Sequence, residues 1–343
     1  MRKLLNTLYV TSPDSYLSLD GETITILRED ADTVRVPLHN LESIVTFGYT
    51  GASPALMGKC AEAGIALSFL TSSGRFLAGV IGEERGNVLL RKTQYRTADD
   101  NELSLGIAKN IITAKLHNSR WVLERAARDH ALQIDVEDVK KAAQNIAGMI
   151  TQVCSAHAYD EVMGLEGDAA RQYFSVFDEL ILQNKKDFFF TERSRRPPLD
   201  NVNALLSFVY TLLTNDISAA LSASGLDPFI GFLHKDRPGR RSLALDLIEE
   251  FRAPLADRFV LTLINNRQVD KSGFTKKESG AVIMNDETRK AVLSAWQTRK
   301  SEQIEHPFLK EKIPWGLAPH AQSLLLSRFL RGDLDEYPPF LWK

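Results

Sequence analysis

The sequence has little cysteine, and its cysteines are far apart. Cys60 and Cys154 are the only two, and their separation fits neither a disulfide framework nor the paired thiolates of a structural zinc site. No run approaches about 18 uninterrupted apolar residues, and the polar-interrupted N-terminus is a poor match to a signal peptide. We therefore expect a protein that does not span a membrane and works in a reducing cytoplasm.

The sequence also lacks the glycine and serine motifs of several large enzyme classes. It has no P-loop, no Gly-x-Ser-x-Gly elbow and no Gly-x-Gly-x-x-Gly turn. These absences argue against P-loop nucleotide hydrolysis, serine-hydrolase chemistry and dinucleotide binding. An excess of one charge is missing too, since 42 basic residues face 44 acidic ones. Net charge therefore neither supports nor excludes a nucleic-acid partner, because a local basic face is what binds phosphate.

The first part of the chain has the pattern of short strands and turns that is typical of a β domain. Short alternating or β-branched runs separated by turn residues predict strands. Between two of them, Ser53-Pro54 predicts the start of a helix that Gly64 would end. The predicted strands cover residues 8–10, 16–19, 23–27, 33–37, 41–47 and 65–71.

Beyond the polar segment 97–102, apolar residues recur with the period of an α-helix. The predicted helices cover 105–130, 136–159, 168–182, 201–224, 243–252, 254–266, 286–300 and 320–330, with a small hairpin within 268–284. The length of 343 residues allows two domains. We predict an α+β protein: a β-rich, β-sandwich-like domain at 1–96 that serves dimerisation, a linker at 97–104, and a larger all-α catalytic domain at 105–343.

One window combines a histidine, a basic turn and two helical carboxylates. His234 precedes the turn, and Asp246 and Glu249 stand three positions apart on an apolar helix that Ser242 would cap. Buried carboxylates need a counter-charge, and imidazole with carboxylates suits magnesium or manganese as well as zinc. In the alternative interpretation the acids pair with arginines. The candidates for such pairs are Arg237, Arg240, Arg241 and Arg252.

A second acidic signal surrounds Glu166. Two glycines and two alanines flank it, and such small residues let a ligand or another backbone approach closely. In the alternative interpretation Asp168 caps a helix, and Glu166 only favours the positive end of that helix.

Basic residues are dense in two stretches near these acids. Arginine suits phosphate because its planar fork makes paired hydrogen bonds to phosphate oxygens. A solvated surface run is the usual alternative, but the position of the loop beside buried acids favours phosphate, with Arg240 and Arg241 as the residues that would grip it. The candidate DNA-binding residues are Arg193, Arg195, Arg196, Lys235, Arg237, Arg240 and Arg241.

Several short motifs follow one another in a specific order. They are Leu165-Glu166-Gly167-x-Ala169-Ala170, Gly231-Phe232-Leu233-His234, Asp246-Leu247-x-Glu249-x-Phe251-Arg252 and Ala256-Asp257-Arg258. Together they resemble the CRISPR-associated endonuclease and integrase family, whose members are the catalytic subunits of the spacer-acquisition complex. The resemblance covers most of the chain, and the stretch 243–252 most resembles the type I-C subtype.

The resemblance implies a site and a reaction. Glu166, His234 and Glu249 would be ligands of Mg²⁺ or Mn²⁺, and Asp246 would be an additional catalytic acid one turn before the last ligand. Some relatives have aspartate in place of Glu249. The glutamate side chain of this protein has the same charge and is one methylene longer. A DNA 3′ hydroxyl would attack a phosphodiester, and this transesterification would insert short foreign fragments, called spacers, into a CRISPR repeat array.

The resemblance also implies partners. They are double-stranded and branched DNA, a second copy of the chain in a homodimer, and a small ferredoxin-like companion protein in a hetero-oligomeric integration complex. Two other functions stay open: a structure-specific repair nuclease acting on branched DNA, and a non-catalytic architectural DNA-binding subunit. Metal dependence separates the architectural subunit from both enzymes, and joined rather than shortened DNA separates the integrase from the repair nuclease.

Overall fold

The computed structural model describes residues 7–12, 15–28, 31–41, 43–48, 50–71, 76–80 and 88–343. The chain divides into two compact units: Met1–Arg85 with Met284–Ser301, and Gly86–Ile283 with Glu302–Lys343. The boundary that we predicted after residue 96 thus lies within the second unit. The first unit also takes in a segment from far along the chain, which no local sequence pattern indicates.

Two four-stranded sheets make up the β-rich part of the first unit. The strands are β1 (Thr7–Val10), β2 (Tyr16–Asp20), β3 (Thr23–Arg28), β4 (Ala31–Pro37), β5 (Ser43–Phe47), β6 (Gly51–Ala52), β7 (Ala66–Leu70) and β8 (Phe76–Val80). One sheet has the strand order β4-β3-β2-β6, in which β2, β3 and β4 are antiparallel. The other has the order β1-β5-β7-β8, in which β1, β5 and β7 are parallel. All six predicted strands are present.

One hydrophobic cluster joins residues of both sheets to a helix. Leu17 and Ile24 from one sheet, Ile44 from the other and Leu56 from α1 (Pro54–Ala63) are fully buried in it. The ends of α1 are those predicted. Ser53 accepts a hydrogen bond from the Leu56 amide at 3.2 Å, and Gly64 ends the helix with a φ of +68° that favours glycine.

Helices make up most of the second unit. They are α2 (Val88–Asp99), α3 (Asn101–Asp129), α4 (Val136–Ser155), α5 (Tyr159–Ser175), α6 (Asn201–Ala223), α7 (Ser242–Ile248) and α8 (Arg258–Asn265), and after α9 (Asp286–Ser301) of the first unit comes α10 (Ala318–Leu330). Two small hairpins accompany them. One is β9 (Phe274–Lys276) with β10 (Val282–Met284), and the other is β11 (Gln303–Glu305) with β12 (Lys312–Pro314). The larger unit is thus mainly helical, and of its two hairpins only the one within 268–284 was predicted.

The segment 97–104, predicted as a linker, is helical except at one residue. α2 runs to Asp99, and α3 starts at Asn101. Between them, the Asp100 carboxylate accepts hydrogen bonds from the amides of Glu102 and Leu103 at 2.9 and 3.0 Å. The polar cluster is thus an N-cap that joins two helices, because a capping aspartate satisfies amides that the helix itself leaves unpaired.

The helix that carries Glu166 begins earlier than predicted. α5 spans Tyr159–Ser175, so both Glu166 and Asp168 lie inside it. The Glu161 carboxylate accepts hydrogen bonds from the amides of His157 and Ala158 at 3.0 and 3.4 Å, which stabilises the earlier start. The interpretation of Asp168 as a helix cap is therefore wrong.

α6 is long and apolar enough to cross a membrane by length and composition alone. However, 56% of its most apolar window is buried inside the protein, and the helix packs against α7 and α10. Both observations are typical of the central helix of a packed core, which needs no hydrocarbon around it.

Candidate active site

A buried carboxylate organises the loop that carries the histidine. Asp246, on α7, is fully buried. One of its oxygens accepts hydrogen bonds from the amides of Phe232 and Leu233 at 2.6 and 2.9 Å. The other accepts from the His234 amide at 2.9 Å and lies 2.7 Å from the Nδ1 atom of the same residue. Because both oxygens are engaged within the protein, Asp246 acts on the loop and on the ring of His234.

The other side of the same loop is clamped as well. Tyr159 and Ser104 donate hydrogen bonds to the Phe232 carbonyl at 2.5 and 2.9 Å. Gly231 has no room for a side chain, since a Cβ atom there would lie 2.6 Å from the Asp246 carboxylate. The loop is thus held by α3, α5 and α7 together, and the bond to Nδ1 leaves the Nε2 atom of His234 to bind a ligand.

The two glutamates of the predicted ligand set meet at one lysine. Lys115, on α3, forms an ion pair with Glu166 of α5, and its ammonium lies 2.8 Å from the Oε2 atom of Glu249 at the end of α7. Arg252 pairs with the other oxygen of Glu249 at 3.1 Å. The buried Oε2 atom of Glu249 accepts no hydrogen bond of good geometry among the described residues.

The charges around Glu249 keep it ionised. Burial would raise the pKa of its carboxyl group, but Arg252 and Lys115, with a smaller contribution from His234, lower that pKa to about 2. A carboxylate that is charged at every ordinary pH is suited to hold a cation.

The three predicted ligands fit a divalent metal by their chemistry. Two carboxylates and a free imidazole nitrogen form a donor set that suits Mg²⁺ or Mn²⁺, and the glutamates already hold a cation between them. Within the described part of the chain, no three histidine, cysteine, aspartate or glutamate side chains are placed close enough to hold a metal ion. Only the two glutamates pair with the lysine ammonium, and His234 pairs with Asp246.

A second buried carboxylate, Asp257, binds the tyrosine whose ring lies against Arg252. Tyr210 and Tyr173 donate hydrogen bonds to Asp257 at 2.5 and 3.1 Å, and the Arg252 guanidinium lies 5.1 Å from the centre of the Tyr210 ring. Burial, opposed by the two tyrosine hydrogen bonds, raises the pKa of Asp257 to about 6. The contacts of Tyr210, Tyr173 and Lys115 at the site were not predicted, because they are made with distant segments of the chain.

Three of the seven predicted DNA-binding residues are engaged inside the protein. Arg193 donates hydrogen bonds to Asn203 and Ser207 of α6, and Arg241 donates to Asn215 of the same helix at 3.0 Å. Arg240 donates to the carbonyl of Lys235 within its own loop. The expectation that Arg240 and Arg241 grip phosphate therefore does not match their contacts. Arg241 also takes the N-cap position of α7 that was predicted for Ser242.

The other four basic residues are exposed. The side chains of Arg195, Arg196, Lys235 and Arg237 make no hydrogen bond or ion pair among the described residues. Arg195 lines a cleft next to the glutamates, together with Lys115 and Arg252. These four cations are the ones whose surroundings leave them available to phosphate.

Comparisons with known proteins give the family. The model of the family "CRISPR associated protein Cas1" matches residues 8–298. A CRISPR-associated endonuclease Cas1 of Chlorobaculum tepidum is 51% identical over 343 residues, covering 100% of both chains.

Among solved structures, a casposase bound to its integration product has a TM-score of 0.84, at 21% identity over 98% of this chain and 94% of that one. A Cas6-RT-Cas1–Cas2 complex has a TM-score of 0.80, at 23% identity over 100% of this chain and 36% of the longer one. These two likenesses show the fold. The family match and the full-length relative show that the chain belongs to the CRISPR-associated Cas1 endonuclease family.

Proposed function

We propose that this protein is a divalent-metal-dependent DNA endonuclease and integrase that inserts short foreign DNA fragments into a CRISPR repeat array. The observation that carries the proposal is the pairing of Glu166 and Glu249, from two different segments, with the same buried cation. The clamped loop that holds His234 through Asp246 supports it. Membership of the Cas1 endonuclease family supports the reaction class. The cytoplasm, where the repeat array lies, is the proposed place of action.

Each residue of the site has a separate task in this proposal. Glu166, Glu249 and the Nε2 atom of His234 would hold Mg²⁺ or Mn²⁺. The metal, when bound, supplies Lewis-acid stabilisation of the charge that develops as a 3′ hydroxyl displaces another 3′ oxygen from a phosphodiester. Asp246 fixes the ring of His234 through Nδ1, and Arg252 keeps Glu249 charged. No covalent bond between enzyme and DNA is needed.

A strand-transfer assay tests this function. Purified protein is given Mn²⁺ and a branched DNA that mimics a half-integrated fragment, with and without chelator. Joined product that disappears with chelator is the expected result. Metal-dependent shortening without joining would instead indicate a repair nuclease, and DNA binding that is indifferent to chelator, with no product, would indicate an architectural subunit.

Asp246→Asn is expected to lower the rate of joining by about 10- to 100-fold, the usual cost of losing a group that orients a metal ligand. An asparagine amide would point its own N–H groups at amides that now donate to Asp246. The measurement is the rate of joined product together with the thermal midpoint of unfolding. Asp236→Asn, on the exposed part of the same loop, is the control. An unchanged rate in Asp246→Asn would refute the positioning role.

Lys235 and Arg237 are proposed to bind phosphate beside His234. The double alanine variant is expected to bind DNA more weakly. A plot of log affinity against log salt concentration should become less steep, by roughly 0.9 for each phosphate that the variant no longer neutralises. Changing Lys140 and Lys141, two exposed lysines of α4, to alanine gives the same charge change away from the loop. Equal slopes for the two double variants would count against the proposed phosphate binding.

The proposed partners are double-stranded and branched DNA, a second copy of the chain through the β-rich unit, and a small ferredoxin-like companion in a hetero-oligomeric integration complex. The likeness to a chain of a Cas6-RT-Cas1–Cas2 complex supports a Cas partner. The type I-C subtype is proposed from the stretch Leu243 to Arg252, which carries Asp246 and Glu249.

A further inference from the structure

Lys115 is the residue of the site whose role the proposed function leaves unexplained. Its side chain is only 12% exposed, and it reaches from α3 to two carboxylates on two other segments. A buried lysine that pairs with both proposed glutamate ligands lies where a metal ion would have to lie. The ammonium and a divalent cation would therefore compete for the same oxygens.

The charges of the site show why Lys115 and Arg252 cannot both stay on the carboxylates when a divalent metal binds. Glu166 and Glu249 carry two negative charges, and Lys115 and Arg252 balance them. A divalent cation added to this balanced set would leave two positive charges in excess around a carboxylate that is almost fully buried. Like charges at such distances repel strongly where water is excluded. One of the two side-chain cations must therefore leave the carboxylates.

Lys115 also borders a small cleft next to its ion pairs. Arg195, Arg252 and Asp257 line the same cleft. Arg252, in contrast, is held over the Tyr210 ring as well as by Glu249, so it has less freedom to move. A DNA phosphate in the cleft would be attracted by its cations and would offer the lysine ammonium an alternative anion.

We infer that Lys115 is a competing internal cation: it weakens metal binding at Glu166 and Glu249 until a DNA phosphate in the adjoining cleft draws its ammonium away. The inference rests on the proposed function, since it takes these glutamates as metal ligands. It makes metal binding and DNA binding mutually favourable, because a coupling between two binding events is reciprocal. An enzyme of this kind holds its metal weakly when no DNA is bound.

The test measures Mn²⁺ binding without catalysis, from the free Mn²⁺ signal in electron paramagnetic resonance. The wild type, Lys115→Met and Lys109→Met are titrated without DNA. Lys109 is a matched control, because it lies on the same helix and, among the residues that the structure describes, donates only to the Ala156 carbonyl, at 3.0 Å. Lys115→Met is expected to bind Mn²⁺ between about 5- and 150-fold more tightly than the wild type, the usual range of such couplings. Lys109→Met should bind like the wild type.

A second titration adds a DNA duplex with a 3′ overhang. DNA is expected to tighten Mn²⁺ binding to the wild type and to have much less effect on Lys115→Met. Glu249→Gln with the same DNA measures the Mn²⁺ that DNA alone takes up. Lys115→Gln is titrated in parallel, because its amide can still donate to the glutamates without the charge, which protects the test against misfolding of the methionine variant.

The outcomes separate the two proposals. Equal or weaker Mn²⁺ binding by Lys115→Met and Lys115→Gln, with specific binding by the wild type, would overturn the role of Lys115 alone. Binding by the wild type that is no stronger than binding by Glu249→Gln would overturn the metal site itself, and the role of Lys115 with it.

Discussion

Glu249→Gln is expected to abolish metal-dependent joining, with a loss on the order of a thousandfold or more in rate, as for other residues that touch the reacting groups. Glu249 is the most deeply buried of the three proposed ligands, and its negative charge is maintained by Arg252 and Lys115. A neutral amide has nearly the same shape but binds a hard cation far less well. The measurement is the single-turnover rate of joined product on branched DNA in Mn²⁺.

Stability must be followed in the same variant. A carboxyl group whose folded-state pKa lies below its ordinary value adds stability at neutral pH, and this stability is lost as pH falls toward that lower pKa. Glu249→Gln should therefore unfold somewhat more easily than the wild type at pH 7, by up to about 3 kcal/mol for the shift to a pKa of about 2. A variant that stays folded yet joins DNA at the wild-type rate would contradict the role of Glu249.

Glu250→Ala is expected to lower the free energy of unfolding by about 3–5 kcal/mol, the cost of breaking a buried polar network. Glu250 is fully buried and accepts hydrogen bonds from Tyr337, Gln322 and the Phe340 amide at 2.7, 2.9 and 2.9 Å. Alanine removes the acceptor of the Tyr337 hydroxyl and of the Phe340 amide, while the Gln322 amide keeps its bonds to the Tyr337 hydroxyl and the Pro338 carbonyl. The measurement is urea unfolding followed by circular dichroism.

Glu250→Gln is the matched control for this effect. Burial raises the pKa of Glu250 to about 7, against the three hydrogen bonds that lower it, so the protein tolerates a neutral group there. Glutamine keeps one acceptor oxygen and fills the same volume, and we expect a much smaller loss of stability and retained joining. A loss below about 1 kcal/mol in Glu250→Ala would show that the network contributes little.

The two adjacent glutamates thus have opposite expected phenotypes. Glu249 faces Lys115 and Arg252 and is proposed to serve the reaction, whereas Glu250 faces Tyr337 and Phe340 and is expected to serve the fold. In the sequence they are neighbours with the same side chain. The direction in which each side chain points from the end of α7, together with the partner that it meets, distinguishes them.

Local sequence patterns determined much of the fold. The alternation of apolar residues predicted the six strands, and the period near 3.6 predicted α3, α6 and most of the other helices. The start of α1 at Ser53-Pro54 and its end at Gly64 were predicted because capping depends on residues within one helical turn. The family resemblance, carried by ordered motifs, is confirmed. It also indicated Glu166 and Glu249, which both pair with Lys115 in the structure, and His234, which stays a prediction as a ligand.

Only the tertiary structure decided what the other charged residues do. Lys115 meets Glu166 across 51 residues of chain, and Asp246 binds the amides of a loop that precedes its own helix. Arg193 and Arg241, which look like phosphate binders in the sequence, are engaged by α6. Segment Met284–Ser301 joins the first unit from far along the chain. Periodicity and capping report on near neighbours, whereas the partner of a buried charge is whichever group the folded chain places beside it.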